Sequence, residues 1–156
     1  MRNVHVTLDL PDAAPDAVFD AVRRFADYPS LAPDVRAVTA REDSSDWEVY
    51  FRNGILRWTE DDTFDREALT ITFVQDDGDF DDFHGAWRIT PGDGGGSRVD
   101  FDATFDFGIP SLVGILDPVA ERVIKEAIAL VVLGLFPGAA VVGDDRLTLA
   151  LAALAG

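Results

Sequence analysis

The sequence predicts an α+β domain in which a long C-terminal helix packs across a curved antiparallel sheet of about seven strands. Three observations support this fold class. Apolar and polar residues alternate in the first ten positions, six further segments between residues 35 and 108 show the same period of two, and a helical segment of about five turns follows them. At 156 residues, the chain has the size of a single domain with a substantial apolar core.

The first part of the chain is predicted to form one strand and a short helical region. The strand covers residues 3–10, and its apolar face consists of alternate residues: Val4, Val6, Leu8 and Leu10. Pro15 suits the first position of the helix that follows. The apolar stripe of that helix has four members: Val18, Phe19, Val22 and Phe25. Two prolines within residues 28–34 then indicate a break, followed by a short helix or a loop.

Residues 35–108 are predicted to form an uninterrupted antiparallel meander of six strands. Segments rich in Asp, Asn, Gly and Pro separate these strands. Asn53-Gly54 indicates a tight hairpin, because a type I′ turn needs positive φ at both central residues. The last strand has the clearest two faces, and its apolar face consists of Val99, Phe101, Ala103, Phe105 and Phe107. The intervening residues are mostly Asp, so we expect the opposite face to contact solvent.

Asp117 and Pro118 are predicted to begin the long helix, as an N-cap followed by proline at the first helical position. The helical pattern continues to Phe136. Pro137 and Gly138 then end the helix.

We divide the chain into a main domain, residues 1–136, and an apolar C-terminal extension, residues 137–156. The extension is expected to form a short helix that packs on the main domain or lies at a dimer interface. A homodimer would use residues 127–154. The apolar stretch 127–142 is shorter than a membrane-spanning helix and is interrupted by Gly and Pro, so we expect no membrane contact beyond exchange of a ligand.

The net charge is −16, with 29 acidic and 13 basic residues, and the chain has no cysteine and two histidines. It lacks a basic stripe that could neutralise phosphates, which excludes nucleic acid as a partner. The cysteine and histidine counts argue against disulfides, thiolate sites and a His-rich metal centre, so we expect neither metal nor cofactor.

The Asp-rich, Lys-poor composition resembles proteins of salt-accumulating halophilic archaea, the alternative being an acidic protein of a high-GC bacterium. The N-terminus lacks the apolar run of a signal peptide, so we predict a cytoplasmic location.

Three segments carry a resemblance to a known superfamily. Residues 17–38, AVFDAVRRFADYPSLAPDVRAV, resemble the first helix and tyrosine-proline turn of START-related (SRPBCC) proteins. Residues 78–91, GDFDDFHGAWRITP, resemble a stretch shared by polyketide cyclases/dehydrases and coenzyme Q-binding proteins, and residues 105–128 resemble the entry of the closing helix in the coenzyme Q-binding branch. The resemblance covers residues 2–135. It implies the helix-grip fold, and residues 1–136 would then be a ligand-binding domain.

A sheet that curves around a helix implies an apolar cavity between them, because backbone packing does not fill this volume. We expect twelve residues to line it and contact a ligand: Tyr28, Trp58, Phe73, Phe80, Phe83, Trp87, Phe101, Phe105, Leu112, Ile115, Val119 and Val123. The alternative for any one of these side chains is ordinary packing in the core.

Glu60 and Asp62 fall on the same face of their strand as Trp58, provided that the strand has no bulge. Inside an apolar cavity, one of the two carboxyl groups would have a raised pKa and could act as a general acid or base. Arg52, across the predicted hairpin, is a candidate partner. The alternative is a one-residue bulge that turns both carboxylates to solvent.

Two classes of function follow from the resemblance. Related aromatase/cyclases carry an inward serine and a catalytic arginine where this chain has Glu60 and Asp62, so the cation that polarises the substrate carbonyl is missing. We therefore favour a non-enzymatic binding or carrier protein for an isoprenoid quinone, a lipid, or an aromatic or polyketide-like molecule. The alternatives are an aromatase/cyclase- or dehydratase-like enzyme, in which Glu60 or Asp62 is the acid/base and Arg52 or Tyr28 polarises a carbonyl, and a protein-interaction module that uses the apolar C-terminus.

Overall fold

An eight-stranded antiparallel sheet forms the frame of the protein in the computed structural model, which describes residues 1–155. The strands are β1 (Arg2–Leu10), β2 (Val35–Ala40), β3 (Ser44–Phe51), β4 (Gly54–Asp65), β5 (Thr70–Gly78), β6 (Asp82–Pro91), β7 (Ser97–Asp106) and β8 (Ala140–Val141). Their order across the sheet is β2-β3-β4-β5-β6-β7-β1-β8. The predicted first strand and six-strand meander are therefore confirmed. Strand β8 was not predicted, because two residues are too few to show an alternating pattern.

Four α-helices lie within the described part of the chain: α1 (Pro15–Val22), α2 (Tyr28–Leu31), α3 (Val113–Leu135) and α4 (Asp145–Ala155). The long helix α3 packs on the inner face of the sheet, against β1, and also contacts α1, α2 and β3. This arrangement is the predicted α+β helix-grip architecture. Alternate residues of β1 and β7 are buried under α3, and the intervening Asp and Thr residues lie on the outer face.

The predicted start of the long helix is wrong. Helix α3 begins at Val113, directly after a 3₁₀ turn at Pro110–Leu112, so Asp117 is not an N-cap and Pro118 lies inside the helix. Proline at this position removes the hydrogen bond that residue 118 would donate to the carbonyl of Gly114, and its ring crowds the same carbonyl. Gly114 is exposed, so water can bind this carbonyl instead.

The hairpin between β3 and β4 also differs from its prediction. Phe51 pairs with Gly54, so Arg52 and Asn53 occupy the two central positions of the turn. Arg52 has a φ of 58°. The Asn53-Gly54 sequence thus predicted a tight hairpin correctly but placed it one residue too far along the chain.

The C-terminal extension returns to the main domain. Strand β8 pairs with β1, and α4 packs on α3 with Leu147 buried. Lys125 of α3 donates to Asp144 just before α4, with Nζ and Oδ2 2.9 Å apart. Leu149 and Leu154 remain exposed on α4, and the homodimer through residues 127–154 stays a prediction. Within residues 1–155, no helix combines the length and the apolar character that a membrane crossing requires.

Candidate functional site

An apolar cavity lies between the inner face of the sheet and helix α3. Its volume is about 70 Å³, which is enough for a few water molecules. The sheet and the segment before it contribute mainly large aromatic and aliphatic side chains, and α3 contributes Ala, Val and Ile. Two cross-strand neighbours, Trp47 and Trp58, stack in parallel on its wall with ring centroids 5.8 Å apart. Half-buried wall residues mark where the cavity meets the surface: Phe51, Leu56, Ile124 and Ile128.

The structure brings eight of the twelve sequence-predicted lining residues together on this wall: Tyr28, Trp58, Phe73, Phe80, Phe83, Trp87, Phe101 and Val123. The other four do not line it. Phe105 is buried beside Phe80 in the core, whereas Leu112, Ile115 and Val119 belong to the entry and the first turns of α3. Ile115 is 55% exposed.

Of the predicted residues on the helix side, Val123 faces the cavity, whereas Leu112, Ile115 and Val119 do not. The residues that face the cavity follow a spacing of three and four: Ala120, Val123, Ile124, Ala127, Ile128 and Val131. On the sheet, the alternation of Trp47, Val49 and Phe51 along β3 was an available signal for three further wall residues. Phe25, Val35 and Leu56 complete the set that was missed.

Glu60 and Asp62 point inward from β4. Their exposed fractions are 3% and 6%, while Asp61 between them is exposed. A bulge is present at this level but lies in β5: Thr59 pairs with Asp77 and Glu60 with Gln75, which leaves Asp76 as the extra residue. Because the irregularity is in the neighbouring strand, β4 keeps its alternation and the alternative with both carboxylates in solvent is wrong.

A short chain of hydrogen bonds holds the two carboxyl groups. The indole Nε1–H of Trp47 donates to Ser45 Oγ over 2.8 Å, and Ser45 donates to Asp62 Oδ2 over 2.6 Å. Trp58 Nε1–H donates to Glu60 Oε1 over 2.8 Å. Glu60 reaches the cavity wall, whereas Asp62 and Ser45 lie behind it. Ser45 was not predicted, because a serine in an alternating strand carries no distinctive signal.

The environment of Glu60 favours its protonated form. Burial, followed by the interaction with the Asp62 carboxyl group, raises the pKa of Glu60 well above its ordinary value, and the Trp58 hydrogen bond only partly opposes this. Burial and the same two acids also raise the pKa of the Tyr28 hydroxyl, which donates to the Val22 carbonyl over 2.6 Å. The Tyr28 hydroxyl proton is therefore already engaged and does not point to a ligand carbonyl.

Arg52 does not partner these acids. It is an exposed residue of the β3–β4 turn and lines a surface groove with Asp34, Tyr50 and the outer side of α3. Arg52 lies close to Glu60 in the sequence, but the strand register pairs Glu60 with Ser45. The cavity wall contains neither Lys nor Arg. Residues 1–155 also contain no grouping of His, Cys, Asp and Glu suited to a metal ion.

Solved structures with the same architecture support the fold. TTHA0849 from Thermus thermophilus superposes with a TM-score of 0.75 at 26% identity, over 96% of this chain and 99% of that chain. The Zhui aromatase/cyclase from Streptomyces sp. R1128 superposes with a TM-score of 0.74 at 20% identity, over 85% and 92%. A START superfamily protein from Mycobacterium smegmatis gives 0.69 at 16% identity, over 86% and 94%.

Sequence comparison defines the family. No curated protein matches the chain significantly. The family model for polyketide cyclase/dehydrase and lipid transport matches residues 11–131, which is most of the chain. Together with the sheet that grips α3, this match shows that the chain belongs to the START-like polyketide cyclase/dehydrase and lipid transport family.

Proposed function

We propose that this protein binds and carries a hydrophobic small molecule in the cavity between the sheet and α3. The observation that supports this most directly is the wall, which is aromatic and aliphatic apart from the Glu60 carboxyl group at one place. Isoprenoid quinones, lipids and aromatic or polyketide-like molecules fit this description. The absence of Lys and Arg from the wall favours binding over a cyclisation that needs a cation to polarise a carbonyl.

The cavity has to widen to take a molecule of that size. Its volume of about 70 Å³ is smaller than such a ligand. Ile124 and Ile128 are half-buried on α3, and Phe51 and Leu56 face them from the end of the β3–β4 hairpin. Rotation of these four side chains at the opening would admit a ligand without disturbing the core behind Phe101.

Two measurements test the binding function. Organic extracts of the purified protein, analysed by mass spectrometry, should contain a stoichiometric apolar compound that is absent from an unrelated control protein. The neutral fluorophore N-phenyl-1-naphthylamine should bind, and Val123→Phe, which fills the wall, should weaken it about tenfold or more. Ile115→Phe, on the exposed side of the same helix, should leave binding unchanged. Equal binding by both variants would place the fluorophore outside the cavity and contradict the proposal.

One observation favours an enzyme as the second candidate. Burial raises the pKa of Glu60 on the wall of an apolar cavity, and Asp62 behind it would fix its orientation. Such an acid suits the dehydration of a β-hydroxy ketone: Glu60 protonates the departing hydroxyl, which leaves as water, and the resulting Glu60 carboxylate takes the α-proton as the C=C bond forms. Conversion of 4-hydroxy-4-phenylbutan-2-one to its conjugated enone, followed by absorbance, tests this. Activity should be lost in Glu60→Gln and kept in Glu67→Gln, whose site is exposed.

A further inference from the structure

The hydrogen bonds around Asp62 leave one oxygen unaccounted for. Ser45 Oγ accepts from Trp47, so its own hydroxyl proton is directed to Asp62 Oδ2. Trp58 gives its indole N–H to Glu60 Oε1. Asp62 Oδ1 is then the one buried side-chain oxygen or nitrogen in residues 1–155 without a partner. An orphaned carboxylate oxygen in an apolar interior is costly, so a donor is expected there.

A proton on Glu60 supplies that donor. The two carboxyl groups are buried on the same face of β4, two residues apart. Two neighbouring charges beside a wall without Lys or Arg would repel, so one proton shared between them is the favoured state. Burial and Asp62 both raise the pKa of Glu60, in agreement with this geometry. The pair then carries one proton and one negative charge.

This arrangement determines which hydrogen-bonding groups of the cavity wall are free to contact a ligand. With its proton turned to Asp62, Glu60 presents only oxygen lone pairs to the cavity. Three of the other polar hydrogens of the wall are already used: Trp47 by Ser45, Trp58 by Glu60 and Tyr28 by Val22. The indole N–H of Trp87, which also lines the wall, has no such partner within residues 1–155. The wall therefore offers Glu60 as a hydrogen-bond acceptor, and within residues 1–155 its one donor without a partner is the Trp87 N–H. The single charge of the Glu60–Asp62 pair is negative.

We infer, resting on the proposed binding function, that the cavity selects uncharged apolar molecules that donate a hydrogen bond, such as phenols or alcohols, and that Glu60 accepts this bond. Molecules with only acceptor groups leave Glu60 without a partner. Anionic amphiphiles are rejected, because the wall holds no cation and the buried pair repels a second negative charge.

Three naphthalene probes of similar size test this selectivity by calorimetric titration at neutral pH. 2-Naphthol donates a hydrogen bond, 2-methoxynaphthalene only accepts one, and 2-naphthoate is an anion. The wild-type protein should bind 2-naphthol about tenfold more tightly than the ether, as expected for one hydrogen bond to a partly charged acceptor. It should show no binding of 2-naphthoate in the same concentration range.

Two variants assign the selectivity to Glu60. Glu60→Leu removes the acceptor, so naphthol and the ether should then bind with affinities within about twofold of each other. Asp61→Leu, on the exposed side of β4, is the control and should keep the wild-type ratio. Glu60→Gln keeps a donor toward Asp62 and turns its second N–H into the cavity, so the preference should move toward the ether. This variant tests the inference even where Glu60→Leu does not fold.

The outcomes separate the two proposals. Equal binding of naphthol and ether by the wild-type protein, or tight binding of naphthoate, would overturn the selectivity and leave the binding function standing. A preference that survives unchanged in both Glu60 variants would also overturn it. Binding of none of the three probes, together with no uptake of N-phenyl-1-naphthylamine, would overturn the binding function and this inference with it.

Discussion

At the scale of single residues, the site depends on Glu60 and Asp62, two acids that lie two positions apart on β4. Period-two alternation predicts that Glu60 and Asp62 share a face, and this holds in the structure. Which group partners them could not be read from the same pattern. Ser45 lies on the neighbouring strand, and its place opposite Glu60 depends on a turn that was predicted one residue too late. The register across the two strands therefore places Ser45, and not Arg52, beside these acids.

The raised pKa of Glu60 predicts a particular pH dependence of stability. A group that binds its proton more tightly when folded contributes stability that is fully present below its unfolded pKa of about 4.5 and is lost as the pH rises through its folded pKa. Glu60→Gln imitates the protonated form and does not titrate. We expect the free energy of unfolding of the wild type to fall relative to Glu60→Gln by about 1.4 kcal/mol per pH unit over this window.

Urea unfolding at several pH values measures this difference. The groups that face Glu60 are Asp62 on its own strand and Tyr28 from α2. Arg41, in the turn between β2 and β3 and paired with Asp46 at the surface, also acts on Asp62. Glu67→Gln, at an exposed site, is the control and should follow the wild-type curve. Parallel curves for wild type and Glu60→Gln across the window would contradict the assignment.

Ser45 is predicted to be important for stability because it connects Trp47 with Asp62. Its removal in Ser45→Ala leaves the Trp47 N–H and Asp62 Oδ2 buried without partners. We expect a loss of about 2–3 kcal/mol in the free energy of unfolding. Ser44→Ala, at the neighbouring position, removes only an exposed bond from Arg41 and should cost less than about 0.5 kcal/mol. Similar losses in the two variants would show that the buried chain is not the reason.

At the scale of elements, the bulge in β5 allows β4 to keep its regular alternation of inward and outward side chains. Asp76 is the extra residue of this bulge, and Gly78, two residues later, pairs directly with Trp58. A Cβ at Gly78 would lie 2.5 Å from Trp58 Cβ and 2.7 Å from the Arg57 carbonyl oxygen. The close approach of these two backbones fixes the position at which the Trp58 ring enters the cavity.

Gly78→Ala should therefore destabilise the protein and disturb the wall. We expect a loss of about 2–4 kcal/mol in the free energy of unfolding, because the added carbon meets backbone atoms that cannot rotate away. The ligand affinity should fall as well, since Trp58 has to move. Gly94→Ala has a positive φ but open space around its Cβ, so it should cost about 1 kcal/mol and leave binding intact. Equal losses would point to backbone conformation alone.

The elements differ in how well the sequence predicted them. The strands of the meander were predictable because each has an alternating face and a turn on either side. The start of α3 was not, because Asp117-Pro118 has the local chemistry of a helix N-terminus although the helix already begins at Val113. Leu112, Ile115 and Val119, at the entry and in the first turns of α3, therefore lie away from the cavity, whereas Val123, further along the helix, lines it.

At the scale of the whole molecule, the two faces of the sheet have opposite character. The inner face and α3 enclose the cavity, and the outer face carries carboxylates that are partly paired with arginine, as in Asp9 with Arg98 and Asp102 with Arg88. These exposed pairs are worth little individually and leave most of the net charge of −16 unbalanced. Repulsion among the remaining carboxylates works against the folded state.

Added salt should therefore stabilise this protein strongly. In about 1 M KCl the screening length falls to about 3 Å, which suppresses repulsion between exposed carboxylates but not the packing of the cavity wall. We expect the thermal midpoint to rise steeply from low salt to molar KCl. Asp43→Asn, Asp76→Asn and Asp77→Asn, combined at three positions outside the core, should raise the midpoint at low salt and flatten its dependence on KCl. Calorimetry across a KCl series provides the measurement, and a midpoint independent of KCl in the wild type would contradict the halophilic interpretation and favour an acidic protein adapted to ordinary salt.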